Sequence, residues 1–209
     1  MTPRGKQLAL LLTRSVDPRA RERWNLPWDV PRDDEPLDDS ASRVAREAAD
    51  AEPSWLEQIG AFGDGKRHPA ESDISVAFVG VVPQGSPPPV GGDVAWFPLA
   101  ELPALAPRQR AIVDAAVERL RSRIDYAPIA FRLLPATFTL SELQQTYELL
   151  LGRRLHKASF RRALHAAWLV EPTDEWRSEG RGRPAQLFRY APRRRRTGRR
   201  GVRFDILGG

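Results

Sequence analysis

The amino-acid sequence predicts an α+β protein of two parts: a mixed body of short strands and two helices, then a winged helix-turn-helix. Three observations carry that reading. From Phe138 to Tyr190 the apolar pattern passes from helical to strand period, with an arginine-bearing, glycine-rich loop between the last two runs. Ahead of it, apolar runs such as Gln7–Thr13 and Ile74–Val82 alternate with turn-rich segments. Finally, the charge is divided. Residues 151–209 hold 16 Lys+Arg against 5 Asp+Glu, a net of +11, and residues 1–150 hold 17 against 22, a net of −5. The formal total of +6 thus covers an acidic body and a basic end. A polyanion partner for that end is the simplest account.

Taken in order, Gln7–Thr13 reads as a buried strand and Arg14–Trp24 as an exposed charged loop. Trp24-Asn25-Leu26-Pro27 leads into the acidic segment Asp33–Asp39, and Ala41–Ala51 has the small and charged residues of a helix. Trp55–Phe62 is a strand ending at a Gly63-Asp64-Gly65 turn, Ile74–Val82 a second strand, and Pro83–Gly92 a Pro/Gly-rich surface loop. Val94–Phe97 is another short strand. Pro107 opens a helix reaching about Ile124, with Ile112, Ala116, Leu120 and Ile124 on one stripe. Tyr126–Pro135 reads as a link.

The basic end is more sharply punctuated. Thr139 followed by Glu142 is a capping box, in which hydroxyl and carboxylate satisfy orphan N–H groups reciprocally. Leu140, Leu143, Tyr147 and Leu150 follow at helical spacing, and Gly152 can end that helix in a left-handed conformation. A second helix spans Lys157 to about Trp168, with Phe160, Ala163, Leu164, Ala167 and Trp168 as its apolar stripe and Arg161, Arg162 and His165 opposite. Leu169–Thr173 and Ala185–Tyr190 are two strands, and the loop between them carries Arg177, Arg181 and Arg183. Helix, helix and basic hairpin, in that order, point to double-stranded DNA as the partner. Lys157, Arg161, Arg162 and His165 would meet the groove or phosphates, and the three arginines would form the wing. Arg193–Arg200 is a charge run expected to be disordered.

Composition closes other routes. There is no cysteine, so disulfides and thiolate metal sites are excluded, and His68, His156 and His165 are too scattered to suggest a zinc site. No apolar run is long enough to span a membrane and no signal peptide is visible, so a cytoplasmic protein is the expectation. No bound cofactor is called for.

Residues 29–51 carry the outline of a catalytic motif. The Nudix box is written G-x5-E-x7-R-E-U-x-E-E-x-G-U, with U apolar. Glu35, Arg43 and Glu47 match it, and Ala45 and Ala51 match loosely. Asp29 stands at the first glycine, Asp50 at the last, and Val44 and Ala48 at two of the glutamates. Box carboxylates at i, i+3 and i+4 share one helix face and hold magnesium through oxygen ligands. Glu47 alone is a remnant of that set, and one carboxylate cannot hold a metal cluster. Glu35 and Arg43 are expected as an ion pair that shapes the loop.

Further matches follow. Trp55-Leu56-Glu57-Gln58-Ile59, Phe62-Gly63-Asp64, Arg67, Pro69 and Ile74–Phe78 resemble the ADP-ribose branch of Nudix proteins. Trp96-Phe97-Pro98, Ala130–Pro135, Phe138–Gln144, Ser159-Phe160-Arg161-Arg162 and Gly180–Leu187 extend the pattern. Over roughly residues 8–191 the chain resembles Nudix-related transcriptional regulators of the NrtR type.

That resemblance implies a degenerate Nudix-like α/β/α sandwich over 1–125, a winged helix-turn-helix over 126–192 and a basic tail over 193–209. It implies a homodimeric repressor of NAD-metabolism or sugar-utilisation genes, released from DNA by a nucleotide such as ADP-ribose. Ser159 joins the candidate DNA contacts, and Glu57, Gln58, Phe62, Asp64 and Arg67 are placed near the effector. The alternatives are a working Nudix hydrolase of ADP-ribose or a related nucleoside diphosphate, and a ligand-free dimerisation scaffold. Three departures stand out. Met1–Gly5 looks too short for the family's first strand. Pro107-Arg108-Gln109 replaces an aspartate and a histidine. Trp28-Asp29 replaces a glycine pair and is expected to crowd the ligand.

Overall fold

The computed structural model describes residues 1–15, 23–63, 73–83, 92–124, 128–178 and 184–191, and the chain divides into two compact units, Met1–Arg119 and Leu120–Gly209. The first unit holds β1 (Thr2–Arg4), β2 (Gln7–Arg14), β3 (Trp24–Asn25), α1 (Leu37–Ala49), β4 (Trp55–Phe62), β5 (Ser75–Val81), β6 (Val94–Pro98) and a 3-10 turn at Leu99–Glu101. Helix α2 (Pro107–Arg123) contains the division between the units.

Strand β2 is the axis of the first unit. It pairs antiparallel with β1 (Thr2↔Ala9), with β6 (Leu11↔Trp96) and with β3 (Thr13↔Asn25). Leu8 to Leu12 are buried without a break, as a strand covered on both faces requires. Strands β4 and β5 form a separate antiparallel pair. Leu11, Ala49 and Val82 cluster, with Ala48, Ala51, Val94 and Trp96 packed against them.

Three expectations need correction here. Met1–Gly5 is not too short for a strand: β1 forms because Gly5, at φ +61°, turns the chain so that three residues reach β2. Trp24–Asn25 is not only a lead-in but a ladder with β2, and Trp24 sets its ring edge-on to Phe97 at 4.9 Å. Helix α1 starts at Leu37, four positions before Ala41, because Pro36 pre-sets the entry and Asp38 and Asp39 suit a helix N-terminus. The Gly63-Asp64-Gly65 turn after Gly63, most of the 83–92 loop and the 193–200 run lie outside the described residues.

The second unit holds α3 (Ile129–Arg132), β7 (Thr137–Phe138), α4 (Leu140–Leu151), α5 (Lys157–Ala167), β8 (Val170–Arg177) and β9 (Ala185–Tyr190). The strand order is β7-β9-β8, all antiparallel. The segment expected as a link contains a buried turn of helix, α3, whose Phe131 meets Phe138, Tyr147 and Tyr190 at ring distances of 5.7, 6.3 and 4.5 Å. Phe160 and Tyr147 join α5 to α4 edge-to-face at 5.5 Å. The capping box at Thr139 and Glu142 is made in both directions, and Gly152 closes α4 at φ +68°.

Two details of this unit differ from expectation. Trp168 does not belong to the apolar stripe: it closes α5 in a left-handed conformation and is 49% exposed. Strand β8 runs on to Arg177, so that residue belongs to the ladder, paired with Ala185, rather than to the loop. No helix among the described residues is long and apolar enough to cross a membrane.

Candidate nucleic-acid interface and ligand cavity

In the first unit the Nudix-box residues are organised by one guanidinium. Arg43 is buried, and its Nε and Nη2 donate to Glu35 Oε1 and Oε2 at 2.8 and 2.9 Å. Its Nη1 donates to Asp29 Oδ2 at 2.6 Å, and Nη2 also reaches Ser40 Oγ at 3.4 Å and the Val30 carbonyl at 3.5 Å. Glu35 is further held by the Arg32 amide at 2.9 Å. The Arg43 guanidinium, then the Arg32 N–H, hold the Glu35 carboxyl down to about 2. The same guanidinium and the Val30 N–H lower Asp29. The expected Glu35–Arg43 pair is present, and Asp29 joins it. Asp50, at the box's last glycine, keeps a left-handed conformation, φ 48°, which aspartate tolerates better than most residues.

Glu47 lies at the edge of this cluster, 60% exposed, 3.9 Å from Arg43 and 4.0 Å from Arg32. Val44 and Ala48 instead line a cavity of about 450 Å³. Its walls come from α1, β2, β5, α2 and the segment Leu26–Pro31. Trp28, Val30, Leu37, Ile74 and Val76 all line it. These are the large apolar side chains that the described part of this unit leaves exposed. Polar groups are few. Arg108, only 6% exposed, donates to Ser75 Oγ at 3.3 Å. Gln109 accepts from the Leu26 amide at 3.1 Å and donates to Asn25 Oδ1 at 3.0 Å, pinning the cavity's entry segment to α2. Such a space, mostly apolar with a few convergent polar groups, has the character of a small-molecule site.

Of the residues expected near an effector, Glu57 accepts from Arg119 at 2.6 Å, while Gln58 is exposed and Phe62 half-buried. All three lie on β4, whose Leu56 lines the cavity, but none of the three lines it. Asp64 and Arg67 lie outside the described residues. Trp28, expected from the sequence to crowd a ligand, lines the cavity, and so do Arg108 and Gln109, to which sequence reasoning assigned no site role although their departure from the family pattern was the signal that could have found them.

In the second unit, α4 and α5 are locked through one carboxylate. Glu148 Oε1 accepts from the Leu155 amide at 2.9 Å and from Gln144 Nε2 at 3.0 Å, and the same Gln144 nitrogen donates to the Leu155 carbonyl at 3.0 Å. This fixes the turn and aims the outer face of α5. Lys157, Arg161, Arg162 and His165 are all exposed there. Lys157, Arg161 and His165 make no side-chain hydrogen bond or ion pair with another described residue. Ser159 is half-buried, 3.3 Å from His156 Nδ1 and 3.5 Å from Arg162 Nη2. Arg177 does not face outward with them: it donates to Glu142 Oε1 at 2.7 Å. Arg181 and Arg183 lie outside the described residues.

Comparison with known proteins agrees with both halves. Residues 1–116 match the NUDIX domain and residues 130–190 the NrtR DNA-binding winged helix domain. The ADPR responsive transcriptional repressor NtrR of Acinetobacter baylyi is 30% identical over 194 residues, covering 90% of this chain and 77% of that protein. The crystal structure of Shewanella oneidensis NrtR complexed with a 27mer DNA superposes with a TM-score of 0.77 at 31% identity, covering 91% of this chain and 90% of that one. A MutT/nudix family protein from Enterococcus faecalis shares the fold, with a TM-score of 0.70 at 21% identity over 89% and 82% of the two chains.

Proposed function

This chain belongs to the NrtR family of Nudix-related transcriptional regulators, and on that basis we propose that it is a sequence-specific DNA-binding repressor whose Nudix-like unit binds ADP-ribose. The observation that supports the DNA half best is the exposed cation row of α5, held on a locked helix pair and unneutralised by described neighbours. Lys157, Ser159, Arg161, Arg162 and His165 meet the major groove and its phosphates, and Arg181 and Arg183 add wing contacts. An arginine reading guanine with both arms contributes about 1–3 kcal/mol of discrimination, whereas a phosphate contact adds affinity and salt dependence. The protein works as a cytoplasmic homodimer, so paired half-sites on the DNA follow.

The Nudix-like unit is a sensor rather than a hydrolase. Val44 and Ala48 stand where the box has glutamates, and both form apolar wall. Magnesium requires a set of oxygen donors, and among the described residues no group of three or more His, Asp or Glu could supply one. Among the described residues, Glu47 is therefore left without the oxygen partners that the metal of a Nudix enzyme needs. ADP-ribose instead enters the cavity, with Trp28 offered to its base and Arg108 to its diphosphate.

The test has two arms. Arg161→Ala with Arg162→Ala abolishes specific retention in a gel-shift assay while circular dichroism is unchanged; undiminished specific binding refutes the interface. ADP-ribose raises the melting temperature of the wild-type chain by mass action and releases the DNA. Magnesium-dependent turnover lost on Glu47→Gln would overturn the sensor reading.

A further inference from the structure

We propose that Arg177 is a positioning residue for DNA binding: it ties the base of the β8–β9 hairpin to the N-terminus of α4 and does not itself contact DNA. The proposal rests on the DNA-binding reading above. By residue type Arg177 belongs with Arg181 and Arg183. By geometry it does not. It is the last residue of β8, where the hairpin loop departs. Its Nη1 donates to Glu142 Oε1 at 2.7 Å and its Nη2 to the Thr137 carbonyl at 3.5 Å. The other Glu142 oxygen, Oε2, is occupied by the Thr139 amide at 2.7 Å. One carboxylate therefore caps α4 and anchors the hairpin.

The electrostatics support a lock rather than a free cation. A positive group beside a helix N-terminus is disfavoured by the helix dipole. Arg177 sits there because Glu142 neutralises it in a short, charge-assisted bond, with both side chains about one-third exposed or less, 34% and 27%. At the other end of α4, Glu148 holds the Leu155 amide that precedes α5. Helix α4 thus carries both DNA-facing elements, the hairpin through Glu142 and α5 through Glu148. A phosphate recruiting Arg177 would compete with Glu142 for the guanidinium that anchors the hairpin.

The test uses the full chain and a duplex that the wild-type protein selects from a random-sequence pool, with affinity measured across a salt series well below the melting temperature of every variant. Arg177→Ala weakens binding roughly tenfold, yet the slope of log K against log salt stays at the wild-type value. Loss of a phosphate contact would lower that slope by about 0.9. Glu142→Gln keeps a capping-box residue but removes the lock, and weakens binding although the protein becomes more positive. The double variant is no worse than either single one. Arg177→Lys, which cannot span both acceptors, behaves like Arg177→Ala and serves if that variant does not fold. A slope reduced by about 0.9 in Arg177→Ala, or Glu142→Gln binding as tightly as wild type or tighter, overturns the proposal. Failure of the wild-type chain to select any duplex refutes the DNA-binding reading instead.

Discussion

Arg43 grips Glu35 with two parallel arms, Nε to Oε1 at 2.8 Å and Nη2 to Oε2 at 2.9 Å, and so ties α1 to the loop that precedes it. The pair has a pH signature. Glu35 is held at about 2 in the folded chain against an ordinary value of 4.5. Between those values the unfolded chain binds more protons, so the stability this group contributes is present above pH 4.5 and is lost as pH falls toward 2. Urea midpoints measured across that window should fall less steeply in Glu35→Gln than in wild type. Parallel curves would show that the pair carries no such linkage.

Removing the hub should cost more than removing a surface neighbour. Arg43→Met strands Glu35 and Asp29 together, whereas Arg46→Ala releases only Glu52, in a pair whose two side chains are more than half exposed. Surface pairs of the latter kind contribute about 0–1 kcal/mol. Denaturant titration of the two variants should rank Arg43→Met clearly as the more destabilised.

In the ligand cavity, Arg108→Gln should weaken ADP-ribose binding by roughly tenfold or more, because a charge-assisted bond to phosphate contributes about 1.5–3 kcal/mol. Binding of adenosine, which lacks the diphosphate, should be unchanged. Calorimetry with both ligands separates the cases, and an equal loss for both would mean that the variant has damaged the cavity as a whole.

At the helix turn, Glu148→Ala leaves the Leu155 amide and the Gln144 side chain without their shared acceptor, at a cost of about 1–3 kcal/mol. Because Gln144 also bonds to the Leu155 carbonyl, Glu148→Ala and Gln144→Ala should be non-additive in a double-mutant cycle. Strict additivity would mean that the three groups do not act as one lock.

Packing of the second unit makes a contrast between two aromatic residues of α5's end and middle. Phe160 is fully buried against Tyr147, so Phe160→Ala should cost about 3–5 kcal/mol. Trp168 is half-exposed in a left-handed cap, and Trp168→Ala should cost well under half of that. Equal losses in chemical denaturation would restore Trp168 to the core.

Much of this molecule is legible in its sequence. Periodicity located α2, α4 and α5, because apolar residues at helical spacing must share a face. The Thr139–Glu142 box and Gly152 marked the two ends of α4, since orphan helix groups need particular residue types. Glu35 and Arg43 were expected to pair, and they do. The sequence was less informative where partners are distant in the chain. Strand β1 is three residues long and exists only because β2 is there to pair with it. Helix α3 is a single turn that its aromatic neighbours support.

By itself, then, the sequence determined the longer helices and strands and the acidic body with its basic end, which are properties of residue type and local spacing. Tertiary structure alone decided which of the basic end's arginines are occupied and which are available. Arg161 and Arg177 are the same residue type, and both are read from the sequence as DNA contacts. One stands open on α5, and the other is drawn to a carboxylate 35 positions away in the chain. That difference is long-range geometry, which no pattern of neighbouring residues encodes.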